Sequence, residues 1–446
     1  MKKLLAICLM LAGISAAAQE VNSTYFLDHY DFGYRINPAY LPDEDVNCIV
    51  GVLLDNIGIS SYSNVGLGSF LIPTASGGFT TGFDKSVSKS TFLGGLNENN
   101  ILNAGLNLNL LTVGFRTDPN GFATIEMNVH AGASLSLPKS TFGFLKDFID
   151  DSTDGNTYSI ADTDLQSTSY AEFALGYSRK FGDRLQAGVR LKFLAGIEDA
   201  RFHIDNLKAV MPATSDDPAD VTANGSLSLA APVELGVDNN GYYDLSDISY
   251  KDGLPGYGFA ADLGVTYVPI DGLSISAAIQ DLGFMCWNNV YTGKASYDKA
   301  VEKSGVSSVT EELVYAFGFN PSNRASLLTN SLPMTLRLGA RYAMPFYDKL
   351  SVGVLETFKT GYYSYNDLRI GATISPVRNV SFTANYGINT LGNSLGCALN
   401  FDFGPIDLFV AMDSLYTKFL SGTAIPLGNL NNSINLGLLL QFRSKK

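Results

Sequence analysis

Along most of the chain, apolar and polar residues alternate with a period of two. From Ala123 to Leu137 the odd positions are Ala123, Ile125, Met127, Val129, Ala131, Ala133, Leu135 and Leu137, and the even ones are Thr124, Glu126, Asn128, His130, Gly132, Ser134 and Ser136. In a strand these two sets face opposite sides. From Arg184 the pattern returns, with Leu185, Ala187, Val189, Leu191, Phe193, Ala195 and Ile197 on one face and Arg184, Gln186, Gly188, Arg190, Lys192 and Glu198 on the other. That apolar face carries no charge, as contact with lipid demands. Comparable segments run over 101–116, 169–181, 257–268, 273–286, 332–344, 350–361, 366–376, 380–388, 395–403, 406–415 and 433–442. A less regular one over 46–63 brings the count to fourteen. After Ile14 no apolar stretch is long enough for a membrane helix, so spanning a bilayer requires strands closed into a barrel. The fold expected is all-β, a closed antiparallel transmembrane β-barrel of about fourteen strands.

The links between these segments alternate in length. Short ones at 117–120, 182–183, 269–272, 345–349, 377–379 and 404–405 carry the Gly, Pro, Asn or Asp that turns need. Longer ones lie at 64–100, 138–167, 205–256, 287–331 and 416–431, and only two near the C-terminus, 362–365 and 389–394, are small. Outer-membrane barrels have short periplasmic turns and longer outside loops, and an even strand count then places both termini in the periplasm. Phe115, Phe122, Phe181, Tyr267, Phe346, Phe403 and Phe442 gather at the short-turn ends, as an aromatic girdle would. Leu436, Leu438, Leu440 and Phe442 form a terminal aromatic strand of the kind read by barrel-assembly machinery, although Arg443 to Lys446 trail behind it.

The N-terminus agrees with export. Lys2 and Lys3 precede an apolar run to Ile14 and then Ala16-Ala17-Ala18, so residues 1–18 read as a signal peptide and the mature chain starts at Gln19. Cys8 lies inside the apolar run, which argues against a lipoprotein. Removing the two lysines takes the formal net charge from −13 to −15, a poor match to nucleic acid. Cys48, Cys286 and Cys397 remain, too few for a disulfide framework or a zinc cage. Residues 19–45 precede the barrel at 46–446 and contain Tyr25, Phe26, Phe32, Tyr34, Ile36 and Tyr40, too apolar for a free tail. Two placements stay open for them, a plug inside the barrel and a segment packed beneath its turns.

Three stretches carry a resemblance: Asn37-Pro38-Ala39-Tyr40, Leu137-Pro138 followed by a short helix through Phe142 to Phe148, and Asp281-Leu282-Gly283-Phe284-Met285-Cys286-Trp287. Together they resemble a family of Bacteroidota outer-membrane barrels of unassigned function. That family is similar in turn to FadL-like fatty-acid channels and to the PorV-type barrels of type IX secretion. The resemblance implies a fold and a location more than an activity, and FadL-like kinship implies fourteen strands.

Candidate chemistry is sparse. His130 beside Glu126 and Asn128, and His203 beside Glu198 and Asp199, could serve a hydrolase, but no nucleophile motif accompanies them and polar lumen filling is the simpler reading. Asp150-x-Ser152-x-Asp154-Gly155 matches half of a calcium loop, yet Ala161 stands where the bidentate Glu should be, so an acidic solvated loop is expected, with weak ion binding by it or by Asp216-Asp217 left open. No metal site, cofactor or enzymatic activity is expected. The inward-facing Arg190, Lys192, Arg337, Arg341 and Arg369 could set anion selectivity or could pair with Glu126, Glu198, Asp262 and Asp402 to fill a closed interior. Three readings follow: a channel for hydrophobic or small solutes, with Tyr25, Phe26, Phe32, Tyr34 and Tyr40 lining a plug or ligand pocket; a scaffold or shuttle of a secretion or surface-assembly system; and an outer-membrane hydrolase. The partners implied are outer-membrane lipid, the barrel-assembly machinery and, for the first reading, a hydrophobic small molecule.

Overall fold

The computed structural model describes residues 21–444, apart from 75–76, 214–217, 240, 302–319, 322–323, 362–363, 391, 416–427 and 429–430. The expected leader, Asp216-Asp217 and most of the 416–431 connection therefore lie outside the described residues. No described helix is long and apolar enough to cross a membrane. Strands build the wall: β1 (Val46–Ser63), β2 (Asn99–Asp118), β3 (Gly121–Pro138), β4 (Thr157–Phe181), β5 (Leu185–Val210), β6 (Gly256–Ile270) and β7 (Leu273–Val301) form one half. The other half is β8 (Thr335–Ala343), β9 (Leu350–Lys359), β10 (Tyr365–Val377), β11 (Val380–Asn389), β12 (Gly392–Asp402), β13 (Ile406–Met412) and β14 (Asn432–Arg443). Each strand pairs antiparallel with its sequence neighbours, and β14 pairs with β1, so fourteen strands close a meander with no free edge. Gly182, Gly272 and Gly404 adopt positive φ in short turns where a side chain would be strained.

The period-two pattern sorts the residues as the sequence demands. Leu191 and Phe193 are exposed on the outer face, whereas Arg190 and Lys192, which alternate with them, are buried inside. Phe115, Phe181, Tyr267, Phe346, Phe403 and Phe442 are exposed at the short-turn end. Phe122 is a correction to the girdle: it falls on the even, inward row of β3 and is buried in a cluster with Ile49 and Phe409.

The long connections are less loop-like than their sequence suggests. β4 and β5 pair from Phe181↔Leu185 up to Thr157↔Val210 with a bulge at Ser169/Tyr170, and a strand at Ala219–Ala230 joins the upper parts of β5 and β7. Arg324–Ser331 pairs with β7 as well. These upper segments keep one apolar face, where Tyr158, Ala209, Val221 and Ala223 bury together, so the backbone ladder and its packing both continue above the wall. Helix α1 (Lys89–Gly94) and helix α2 (Lys139–Ile149) pack on each other through Phe92 and Phe142. The calcium-like stretch at the end of α2 is held by lysines: Lys146 Nζ lies 2.6 Å from Asp150, and Lys85 Nζ 2.8 Å from Asp151. Among the described residues no group of three or more His, Cys, Asp or Glu could hold a metal.

The outer face generates a stability prediction. Leu191→Arg puts a cation in the lipid-facing row and should cost about 2–4 kcal/mol if Leu191 lies near the midplane, whereas Leu191→Ile should cost under about 1.5 kcal/mol. Urea unfolding of protein refolded into lipid vesicles reads both, and equal tolerance would mean that the face assignment is inverted.

Candidate functional site in the barrel lumen

The polar rows of fourteen strands converge on one lumen, and the chain's own N-terminal segment runs through it. Two short 3-10 turns, Asn22–Phe26 and Gly33–Arg35, shape that segment, and most of its side chains are buried. Its first turn is anchored by Asp413, whose carboxylate accepts from the backbone N–H of Asn22 at 2.8 Å, the N–H of Ser23 at 2.8 Å and the Ser23 hydroxyl at 2.6 Å. Asn22 Nδ2 donates to Asp367 at 2.9 Å, and Arg369 holds the same Asp367 at 2.6 Å. Arg341 pairs with Asp28 at 2.5 Å, and Thr373 donates to the Phe26 carbonyl at 2.6 Å.

The wall is shaped to receive this segment. A Cβ at Gly188 would sit 1.9 Å from the Pro38 carbonyl oxygen, and one at Gly264 2.1 Å from Asn37 Oδ1. At Gly339 it would meet the Tyr25 hydroxyl at 2.3 Å. These inward glycines are close-approach positions, where any side chain would displace the segment.

A buried ion network occupies the other side of the lumen. Glu126 receives Arg35 at 2.6 Å and the Tyr34 hydroxyl at 3.0 Å, and it also pairs with Arg190. Arg190 reaches Asp262 at 3.1 Å, and Lys192 bridges Asp262 at 2.9 Å and Asp281 at 2.6 Å. Paired charges of this kind tolerate burial because each is matched in charge and hydrogen bonding. Arg337 donates to Gln280 and to Asn22 Oδ1, so the five inward cations all have partners.

Several sequence expectations are relocated. His130 lies 3.2 Å from Glu172, off the line of a hydrogen bond, and stacks on Tyr170 at 5.0 Å; Glu126 belongs to Arg35 and Arg190 instead. His203 pairs with Asp164 at 2.5 Å and Asp205 at 3.0 Å rather than with Glu198, which accepts from Ser167, and Asp402 pairs with Arg443. The five aromatics of the segment are spread along the wall. Tyr25 donates to or accepts from Ser276 at 3.0 Å, and Phe26 presses on Gly353 and Gly371. Phe32 packs on Phe409, Tyr34 meets Glu126, and Tyr40 lies over Gly33. They do not surround one cavity. The lumen cavity, about 80 Å³, is lined by charged and polar side chains, among them Arg35, His130, Glu172, Lys192, Arg337 and Lys359.

Asp281 is the residue that sequence reading missed. It sits at φ 59° in a bulge of β7, where Gln280 and Asp281 both point inward in succession. The bulge re-aims a carboxylate at Lys192, and a charged residue interrupting the row Ile275, Ala277, Ile279 was its only signal. Above it Trp287 fills the space over Gly196 and Gly256, which explains the aromatic end of that motif.

At the short-turn end His29 hydrogen-bonds Asp43 at 2.7 Å, and this contact raises the imidazole above its ordinary value. Asp31 is driven well above the usual carboxylate range by burial, reinforced by the carboxylate of Asp407.

A family model matches residues 38–413 of this sequence. The chain belongs to DUF5723, a family of unknown function. No curated protein matches this DUF5723 chain. Among solved structures it is similar to the Pseudomonas putida toluene transporter TodX, at 9% identity over 97% of each chain with a TM-score of 0.41. It is similar also to a TodX deltaS2S3 mutant described as a monoaromatic hydrocarbon channel, at 10% identity over 97% of this chain and 99% of that one, TM-score 0.47. A Pseudomonas aeruginosa FadL homologue matches at 12% identity over 96% of this chain and 100% of that one, TM-score 0.45. At these scores the likeness carries no statement about cargo for the DUF5723 chain.

Glu126 supports the sharpest test of the network. Glu126→Ala strips Arg35 and Arg190 of a shared buried partner and should cost about 3–5 kcal/mol. Gln at the same position, which keeps the shape and some hydrogen bonding, should cost less. A urea midpoint unmoved by Glu126→Ala would show that the network is hydrated and energetically idle.

Proposed function

We propose that this protein is an outer-membrane channel for small polar solutes whose lumen is closed at rest by its own N-terminal segment, residues 21–45. The observation that carries this reading is the position of that segment: it lies within the lumen on polar contacts to Asp413, Asp367, Arg341 and Glu126. Water entering the lumen can replace such contacts one for one, which lowers the cost of displacing the segment. The charged lining of the residual cavity favours small polar or ionic solutes over hydrophobic ones. The long-loop end faces outward and the short-turn rim, with the C-terminal end of β14, faces the periplasm in this reading, while the N-terminal segment descends to that rim from Asn22 in the lumen beside Asp413; the terminal strand β14 serves barrel assembly and the outer face meets lipid. No catalytic arrangement enters it.

The scaffold reading has its own support, namely a lumen that is nearly filled and in which Arg190, Lys192, Arg341 and Arg369 are all ion-paired. Deleting residues 21–40 separates the two. In planar bilayers the deletion should open a steady conductance at least about tenfold above that of the intact chain, a ratio set by a segment that otherwise holds the pore shut more than nine-tenths of the time. Unchanged conductance in a correctly folded barrel would favour the scaffold.

Sidedness has a separate test. An epitope inserted at the exposed turn Asp252-Gly253 should be labelled on intact cells, and one at Gly182-Asp183 only after permeabilisation. The reverse labelling would invert the proposed orientation.

A further inference from the structure

The outer wall carries a feature that neither the lumen nor the barrel scaffold uses. On β9 the outward row is Val352, Val354, Glu356 and Phe358, while Ser351, Leu355 and Thr357 between them are buried toward the lumen. Glu356 therefore faces the bilayer. Its register partners are Leu338 on β8 and Leu368 on β10, and none of these neighbours offers a hydrogen bond from its side chain. The Oε1 atom of Glu356 is buried and has no hydrogen-bond partner. An unsatisfied carboxylate against hydrocarbon is costly, and ionisable groups kept in such a place mark function by default.

Beside Glu356 the wall is hollow. Ala277 and Ala340 are small residues at diagonal positions in the β7–β8 pairing, where Ala277 faces Leu338 and Ile275 faces Ala340. They form the floor of a groove of about 490 Å³, walled by Ile275, Leu338 and Val354, with Glu356 at one end. The groove crosses from β9 to β6, three strand spacings or about 14 Å. Its volume is that of a small-molecule site rather than of a protein interface. A second copy docked two-fold through the same face would bring two Glu356 carboxylates together, which disfavours self-association there.

We propose that this groove binds an amine-headed amphiphile drawn from the bilayer, with the ammonium on Glu356 and the apolar body over Ala277 and Ala340. Depth agrees with this. Glu356 is three residues from the end of β9 at Lys359, about 7 Å along the barrel axis for a strand tilted near 45°. That sets the carboxylate about 7 Å below the strand's outer end, a depth that a snorkelling lipid amine can reach. An anionic amphiphile would be repelled, and an uncharged one would leave the carboxylate only weakly matched. The site is independent of any conduction through the lumen.

The test uses the full chain in a neutral maltoside detergent with dodecylamine, dodecanol and sodium dodecanoate as probes, counted by native mass spectrometry. Dodecylamine should be retained saturably at one per barrel, and dodecanoate should not rise above background. Glu356→Gln, which keeps size and removes the charge, should weaken dodecylamine retention at least tenfold. Ala340→Phe, which fills the floor but leaves Glu356 in place, should abolish it. Each variant's folded state is checked first by its heat-sensitive gel mobility. Equal retention of the amine by wild type and Glu356→Gln would overturn the proposal. So would equal retention of amine and carboxylate probes, or co-purification of a membrane protein by wild type but not Glu356→Gln in the absence of amine binding.

Discussion

Hydrocarbon offers no hydrogen bonds, and the rest of this structure depends on that. Every N–H and C=O of a strand in the bilayer must find a partner on another strand, so the sheet can end only by meeting itself. Here β14 meets β1, from Val46↔Arg443 at the short-turn end to Ser61↔Asn432 above, with the ladder interrupted between Val50 and Asn56. Both ends of the strand wall are thereby fixed at one rim, where Arg443 also pairs with Asp45 at 3.1 Å and joins the seam to the N-terminal segment. Closure solves the backbone problem and creates a second one, because a fourteen-strand ring encloses a space lined by polar rows that has to be filled by water or by protein.

In this protein the filling is largely its own. Glu126, Arg190, Asp262 and Lys192 alternate in sign across β3, β5 and β6, so that no charge is left bare. The N-terminal segment completes the set through Arg35 and Asp28, and it adds an apolar patch in which Phe32 and Tyr30 rest on Phe409. The two kinds of contact pull in different directions for a gate. Polar contacts exchange readily with water, while burial of rings resists exposure by about 1.5–3 kcal/mol for each large side chain. A segment held by both is firm at rest, and its departure has to expose Phe26, Leu27, Tyr30, Phe32 and Tyr34 as well as exchange its polar contacts.

How much of this was legible depended on how far each residue obeyed the rule of its strand. Where lipid lay on one side and polar filling on the other, as along Leu185 to Ile197, alternation alone located strand, face and inward charges. The strand at 219–230 does alternate, with Ala219, Val221, Ala223, Leu227 and Leu229 on one row, but it lies inside a stretch read as one long connection, and so does the upper part of β4 at 157–168. Phe122 and Phe409 are instructive in the opposite sense. Both are aromatic on inward rows, which reads as girdle or noise until the segment that packs on them is known. The partner assignments of His130 and His203 were likewise out of reach, because they depend on which strand lies alongside, and register across strands is not written in either strand alone. Asp281 and Glu356 each break the rule of their own row, and both mark places where geometry departs from simple wall building.

The central claim is that residues 22–37 reside inside the folded barrel, and amide hydrogen exchange on the intact chain in lipid vesicles addresses it most directly. The N–H groups of Asn22, Ser23, Thr24, Leu27, Asp28, Gly33 and Arg35 all donate to protein acceptors in the lumen. Peptides covering that stretch should therefore exchange on the slow timescale of the barrel strands, with protection lost only when the barrel itself unfolds. Exchange at the rate of an unstructured peptide in an otherwise protected barrel would place the segment outside the lumen and remove the basis of the gate.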